Sequence, residues 1–185
     1  MGTDLREYQR PDPDIQGFMD GKELQWLYET AQQMTSIVEI GSWRGLSTHA
    51  LLTGCPGIVY AVDTWKGSPN ETGGAHSDAL TQDIYAQFYA NVGHFKNLTI
   101  LKMDSVQASM HLAPHSIDMV FIDGCHTYDA VIADLKAWLP ICRKLLCGHD
   151  VGQDGVPKAL AEMGIQPDKK PGSLWAYDLA GKDIT

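Results

Sequence analysis

The chain has 185 residues, 14 of them Lys or Arg and 23 Asp or Glu, for a formal net charge of −9. That length suits one domain, which buries roughly 70% of its unfolded surface, and 44% apolar with 20% charged residues excludes disordered and collagen-like classes. The acidity counts against a binder of nucleic-acid phosphates, which needs clustered Lys and Arg, and against docking on an anionic membrane. No apolar stretch approaches the ~20 residues that span a bilayer, and the polar start Met1-Gly2-Thr3-Asp4-Leu5-Arg6-Glu7 does not read as a signal peptide. Cys55, Cys125, Cys142 and Cys147 have no zinc-ligand spacing. The expectation is a soluble, cytoplasmic protein.

Residues 1–20 read as a loosely held arm, because Pro11 and Pro13 break any helix there; the domain then runs over 21–185. Leu24, Leu27, Tyr28, Ala31 and Met34 follow helical spacing. Ile37-Val38-Glu39-Ile40, ending at Gly41, reads as a buried strand, residues 46–52 as a helix, and residues 58–63 as a second strand. Residues 67–74 form a Gly- and Asn-rich loop. Ile84, Phe88, Val92 and Phe95 mark a helix, residues 98–101 a strand and residues 105–110 a short helix. Residues 117–122 form the strongest strand. Tyr128, Val131, Ile132, Leu135 and Trp138 make the cleanest amphipathic helix. Leu145-Leu146-Cys147 is a further strand, Val156, Leu160 and Met163 a helix, and residues 173–179 a last strand. Alternation of this kind predicts an α/β fold: a single doubly wound, Rossmann-like domain whose mostly parallel sheet has six or seven strands and helices on both faces. The final antiparallel hairpin is expected to be abridged. Ligands of such sheets bind beyond the carboxyl ends of the strands, near the switch in strand order.

After the first strand comes Glu39-Ile40-Gly41-Ser42-Trp43-Arg44-Gly45, whose glycines allow a tight turn passing close to a ligand. Asp63 ends the second strand 22 residues after Gly41, where an acid accepts hydrogen bonds from ribose hydroxyls. The spacing G-x-x-x-G differs from the G-x-G-x-x-G that seats a pyrophosphate. Glu39 would repel a pyrophosphate but suits a cationic amino-acid group. This charge pattern favours S-adenosylmethionine, a sulfonium without phosphate, over NAD.

Val38-Glu39-Ile40-Gly41-Ser42-Trp43-Arg44-Gly45, Val62-Asp63-Thr64-Trp65-Lys66-Gly67, Phe121-Ile122-Asp123-Gly124-Cys125-His126 and Gly148-His149-Asp150-Val151 together resemble the class I S-adenosylmethionine-dependent methyltransferases. The resemblance is closest to the small bacterial and phage-type branch, similar to methyltransferase family 24. It implies that Glu39, Gly41, Trp43, Gly45 and Ser47 belong to the methionine side of the cofactor site and that Asp63 holds the ribose. It further implies Thr64 beside the adenine, Asp104 and Ser105 at the adenine edge, and Asp123 beside the cofactor. The catechol-type O-methyltransferases carry an aspartate after strand four, a lysine base three residues later and a magnesium-binding Asp-Asn pair after strand five. Laid on this chain, these positions are Asp123, His126 and the pair His149-Asp150. Histidine thus stands where the lysine would, and His-Asp where Asp-Asn would. Magnesium prefers oxygen ligands, so His149 suits a softer divalent ion better, and whether a metal is required stays open.

Asp123 and His126 are the expected catalytic pair, since an imidazole can take the proton of an acceptor hydroxyl near neutral pH. Asp123, His149 and Asp150 are the expected ligands of a divalent metal. An Asp123 that merely caps the following helix is the structural alternative. Residues 66–78, with Pro69, Asn70, Glu71 and His76, could form a lid, and Trp65 and Tyr128 either walls of the site or parts of the core. The function expected is O-methylation of a small-molecule hydroxyl. No Asn/Asp-Pro-Pro-Tyr segment for nucleic-acid amines is present. The alternatives are a non-catalytic S-adenosylmethionine-binding module and, with less support, an NAD-dependent reductase, which would need a Tyr-x-x-x-Lys that is not evident. A homodimer is left open.

Overall fold

Apolar strands make the middle of the central sheet a shared wall between two helical layers. The computed structural model describes residues 7–11, 13–68 and 74–179. Along the chain lie α1 (Gly21–Ala31), β1 (Ser36–Ile40), α2 (Leu46–Gly54), β2 (Ile58–Asp63), α3 (Gly74–Thr81), α4 (Ile84–Val92) and β3 (Leu98–Lys102). They are followed by α5 (Ser105–Ser109), β4 (Ile117–Ile122), α6 (Tyr128–Trp138), β5 (Cys142–Gly148), α7 (Gly155–Glu162), β6 (Asp168–Lys169) and β7 (Trp175–Asp178). The sheet has seven strands in the order β3-β2-β1-β4-β5-β7-β6. β1 to β5 pair in parallel, and β7 runs antiparallel to both of its neighbours. This is the doubly wound, Rossmann-like fold that the sequence predicts. The order reverses between β1 and β4, which fixes where a ligand cleft opens.

Side-chain alternation divides the core. Ile37, Met119, Phe121 and Cys147 pack with α1, α2 and α4 on one face. Val38, Ile40, Val120, Ile122 and Leu146 pack with α5, α6 and α7 on the other. The helix starting at Gly21 has a full capping box: the Asp20 carboxylate accepts from the N–H groups of Lys22 and Glu23, and Glu23 accepts from the Asp20 N–H.

The sequence reading needs amendment in three places. Residues 74–81 form α3, so the expected loop is partly helical, whereas residues 69–73, with Pro69, Asn70 and Glu71, and the side chain of His76 lie outside the described residues. The terminal hairpin is present among the described residues, with β6 only two residues long. The arm is not loose where it is described. Tyr8, Ile15 and Met19 are buried, the Tyr8 hydroxyl lies 2.9 Å from His49 Nδ1 and its N–H donates to Gln25 Oε1 at 2.6 Å. These side chains fill the groove over α1 and α2, and that burial outweighs the helix-breaking prolines. Among the described residues no helix is long and apolar enough to cross a membrane.

At the amino ends of the strands, the buried Asp118 carboxylate ties the sheet together. It accepts from the Thr35 N–H and hydroxyl, each at 2.9 Å, from Arg143 Nε at 2.8 Å, and pairs with Lys144 Nζ at 3.1 Å. The register moves from Ile117 opposite Cys142 to Met119 opposite Leu145, so β5 carries one extra residue here, and this bulge lets two consecutive basic side chains reach one acid. Burial opposes ionisation of Asp118, but the Thr35 and Arg143 donors outweigh it and hold the carboxyl well below the usual range. Asp118→Asn should therefore cost about 1–3 kcal/mol near neutral pH. Because the folded-state pKa is depressed, the deficit should persist above pH ~4 and close as the pH falls below it. Denaturant unfolding of both proteins across pH checks this; an unchanged stability would contradict it.

Candidate active site

The turn after β1 is shaped by a close approach that only glycine permits. Gly41 has φ +87°, and a Cβ there would meet the Asp123 carbonyl oxygen at 2.1 Å. Its N–H donates to the Val62 carbonyl (2.9 Å), and the Asp123 N–H to the Ile40 carbonyl (2.8 Å). The ends of β1, β2 and β4 are thus laced into one edge. Asp63 completes the lacing: Oδ2 accepts from the Trp43 N–H at 2.9 Å and Oδ1 from the Trp65 N–H at 2.7 Å. Both tryptophans hold left-handed backbone, φ +47° and +55°, a strained conformation that surrounding contacts must enforce. Burial pushes the Asp63 carboxyl up, and the Trp65 and Trp43 N–H groups work against that.

Beyond this edge opens a cavity of about 1270 Å³. Of the residues the sequence singles out, Gly41, Trp43, Ser47, Asp63, Thr64, Asp104, Ser105, Asp123, His126, His149 and Asp150 all line it. Two do not. Gly45, with φ +92°, packs on Phe88 and Val92 at the start of α2. Glu39 lies buried below the turn, where its Oε2 accepts from the Thr48 hydroxyl. Burial raises the Glu39 carboxyl to about 7 against the pull of the Ser47, Thr48 and Ser42 hydroxyls. Trp65 is core: it packs on Tyr85 and Phe88 with ring centroids 5.0 and 4.8 Å away, and its Nε1 donates to the Trp43 carbonyl at 2.7 Å. Tyr128 donates its hydroxyl to Glu162. Neither ring lines the cavity.

Sequence reasoning did not anticipate six residues of the wall. Gly17, Phe18 and Met19 of the arm line the cavity, as do Arg44, Leu80 of α3, and Asp134 of α6. Arg44 is buried, and its guanidinium donates to Gln87 Oε1 (2.6 Å), Asp78 Oδ2 (3.0 Å) and Gln82 Oε1 (3.0 Å), which ties the turn after β1 to α3 and the start of α4. Phe18 and Leu80, 72% and 71% exposed, give the cavity an apolar rim.

The acid and imidazole groups meet at the ends of β4 and β5. Asp123 does not cap α6, whose N-cap is Thr127. His126 Nε2 lies 2.7 Å from Asp150 Oδ2. His149 is buried, with Nε2 3.0 Å from Glu23 Oε1, and Nδ1 3.2 Å from Asp150 Oδ2 and 3.5 Å from Asp123 Oδ1. Burial works against its charge, but the Asp123 and Asp150 carboxylates prevail and lift its pKa to about 11. Burial raises the Asp123 carboxyl, whereas for Asp150 the His126 and His149 donors overcome burial and hold it low. The expected metal set was Asp123, His149 and Asp150. An imidazolium with both N–H groups facing carboxylates has no lone pair to give. The ligand atoms that converge, within 4.8 Å of one another, belong to Asp123, His126 and Asp150. Two carboxylate oxygens and one imidazole nitrogen are donors fit for a divalent cation of borderline softness. Glu23, 126 residues before His149, carried the Asp20-x-x-Glu23 capping signal in the sequence but nothing that announced this second role.

A family model described as a methyltransferase domain matches residues 38–151, which run from within β1 past the end of β5 and include most of the cavity lining. The chain belongs to this methyltransferase family. Among solved structures it is similar to the O-methyltransferase NovP, at 16% identity and a TM-score of 0.62, covering 85% of this chain and 79% of that one. The S-adenosylhomocysteine-bound methyltransferase PaMTH1 of Podospora anserina matches at 13% identity and a TM-score of 0.61, over 86% and 78% of the two chains. The uncharacterized protein y4gI of Sinorhizobium fredii is 28% identical over 151 residues, 75% of this chain and 15% of that protein. The chain thus spans only a small part of that relative's length.

Because the His149 pKa lies above its ordinary value, its contribution to stability is complete below pH ~6.5 and disappears as the pH rises toward about 11. Its ring resonances should accordingly stay those of the imidazolium from pH 6 to 9 in an NMR titration. A midpoint near 6.5 would contradict the assignment.

Proposed function

We propose that the protein transfers a methyl group from S-adenosylmethionine to a hydroxyl oxygen of a small molecule, with residues 21–185 as the methyltransferase domain and the described part of the arm as a wall of its site. The observation that carries this reading is the meeting, in one cavity, of the glycine turn with Asp63 and of the Asp123, His126 and Asp150 cluster. Family membership and the likeness to the O-methyltransferase NovP support it. Asp63 keeps unused lone pairs for ribose hydroxyls after accepting its two N–H groups. The Ser47 hydroxyl serves the amino-acid end, with Glu39 buried behind it as a hydrogen-bond acceptor. When bound, S-adenosylmethionine supplies an electrophilic methyl on a sulfonium.

In this reading His126 donates from Nε2 to Asp150 and would take the acceptor's proton at its other ring nitrogen, while the acceptor oxygen would bond to the methyl carbon as the methyl–sulfur bond breaks and the sulfur leaves as a neutral thioether. Asp150 and Asp123 then stabilise the imidazolium. His149, already charged and fixed by Glu23, keeps the two carboxylates from repelling one another. The rim of Phe18 and Leu80 covers the apolar part of the acceptor and limits water. A second reading rests on the grouping of Asp123, His126 and Asp150: those three would hold a divalent cation that lowers the acceptor's pKa, so that no separate base is needed.

Titration calorimetry with S-adenosylhomocysteine, followed by labelled methyl transfer to a panel of hydroxylated compounds, tests the proposal. Asp63→Ala should weaken S-adenosylhomocysteine at least tenfold, the loss of charge-assisted bonds worth roughly 1.5–3 kcal/mol; unchanged affinity would remove Asp63 from the site. His126→Ala should slow transfer by about 10²–10⁴ while cofactor binding persists. Chelator leaves turnover intact if His126 is the base and abolishes it if the three residues hold a metal. Cofactor binding without transfer to any hydroxyl compound would instead favour a non-catalytic module.

A further inference from the structure

One side chain of the turn after β1 reaches out to hold α3. Eight residues long and containing Gly74 and Ser77, this helix is too short to persist alone in water, so tertiary contacts must seat it. Ala79 packs against the core. The buried Arg44 guanidinium donates to Asp78 Oδ2 and Gln82 Oε1, each at 3.0 Å, and to Gln87 Oε1 at 2.6 Å. The receiving groups are themselves linked: Gln82 Nε2 donates to Asp78 Oδ1 at 3.2 Å, and Gln87 Nε2 to Gln82 Oε1 at 3.1 Å. Arg44 is in turn fixed from behind. Asn91 Nδ2 of α4 donates to its carbonyl at 2.9 Å, and its guanidinium carbon lies 5.3 Å from the centroid of the Trp43 ring. A planar fork held in this way sets position as well as charge. Leu80 lies between the clamped positions Asp78 and Gln82 and is 71% exposed where it borders the cavity, as Phe18 of the arm is at 72%. Large apolar side chains left bare at a cavity mouth mark where a ligand is covered. At about 1270 Å³ the cavity exceeds the ~300–1,000 Å³ of a pocket for one small molecule, which leaves room for an acceptor beside the cofactor.

Resting on the methyl-transfer reading above, we infer that Arg44 is a positioning residue for the acceptor: by seating α3 it places Leu80 at the cavity mouth, and so selects hydroxyl compounds carried on an apolar body. Its guanidinium is taken up by Asp78, Gln82 and Gln87, so it acts on the acceptor through the helix. With the clamp released, Leu80 loses its fixed place, and the gain from burying the acceptor's apolar atoms falls. That contact is the same in the ground state and the transition state. Its loss therefore raises KM and leaves kcat nearly unchanged.

The test measures labelled methyl transfer to 4-alkylphenols, from methyl to butyl, and to glycerol as a polar hydroxyl compound. It uses the full chain as wild type, Arg44→Met, Arg44→Lys, Asp78→Ala and Leu80→Ser, with S-adenosylhomocysteine affinity measured by calorimetry on each. In the wild type, kcat/KM should rise about tenfold or more from the methyl to the butyl phenol, since each added methylene is buried. Leu80→Ser, Arg44→Met and Asp78→Ala should flatten that rise through KM, with kcat and cofactor affinity held within about twofold. Arg44→Lys, which keeps the charge but not the fork, should retain part of it. The slope is internal to each protein, which removes any general loss of activity. Asp78, whose side chain is 37% exposed, decides the matter should Arg44→Met fail to fold. A wild-type series without a rise, or a rise that survives in Arg44→Met and Asp78→Ala, would overturn the role of Arg44 and leave methyl transfer intact. Transfer to glycerol but to none of the phenols would do the same. A flattened slope with a matching loss of S-adenosylhomocysteine affinity would assign Arg44 to the cofactor and overturn the inference. A wild-type protein that methylates neither class would overturn both this inference and the reading on which it rests.

Discussion

One carboxylate holds open the edge on which the rest of the site depends. Asp63 accepts the Trp43 and Trp65 N–H groups, and those two residues adopt the left-handed backbone that carries the chain away from β1 and β2. Left-handed backbone costs a tryptophan on the order of 1–3 kcal/mol. Two hydrogen bonds to a charged acceptor, the Trp65 Nε1 bond to the Trp43 carbonyl and the burial of Trp65 against Phe88 offset that strain. Gly41, pressed against the Asp123 carbonyl, joins the same edge to β4. The cavity exists because the two turns cannot fall inward.

Charge balance governs the other half of the site. Glu23, Asp123 and Asp150 surround His149, and its buried imidazolium supplies counter-charge to all three acids. The contact also joins distant parts of the chain, since Glu23 Oε1 accepts from the Ser173 N–H at 2.8 Å and Trp175 Nε1 donates to the His149 carbonyl at 3.2 Å. α1, the end of β5 and the terminal hairpin are thereby bound to the chemistry. His126, less buried than His149 and 2.7 Å from Asp150 Oδ2, is the more accessible imidazole at the cavity.

Much of this was legible locally. β1, β2 and β4 are dense apolar runs closed by glycine or aspartate, and residues that follow a parallel strand must lie at its carboxyl edge, so Gly41, Asp63, Asp123, His149 and Asp150 could be placed together before any coordinates. What escaped was set by contacts distant in sequence. Nothing in the spacing of Glu23 predicts a partner 126 residues on, and an aspartate between Ile132 and Leu135 reads as a solvated position unless the packing of α5 on α6 is known. The arm misled because two prolines exclude a helix without excluding burial, as Tyr8 and Ile15 demonstrate. α3 lies in a stretch whose glycines and serines carry little helical signal, and the two-residue β6 is too short to show a period.

The most direct measurement is a crystal structure of the protein with S-adenosylhomocysteine. The account predicts ribose hydroxyls on Asp63 and the sulfur turned toward His126, with the space beyond it open to the Phe18 and Leu80 rim. A ligand seated elsewhere in the cavity, or with its sulfur directed away from Asp123, His126 and Asp150, would contradict it.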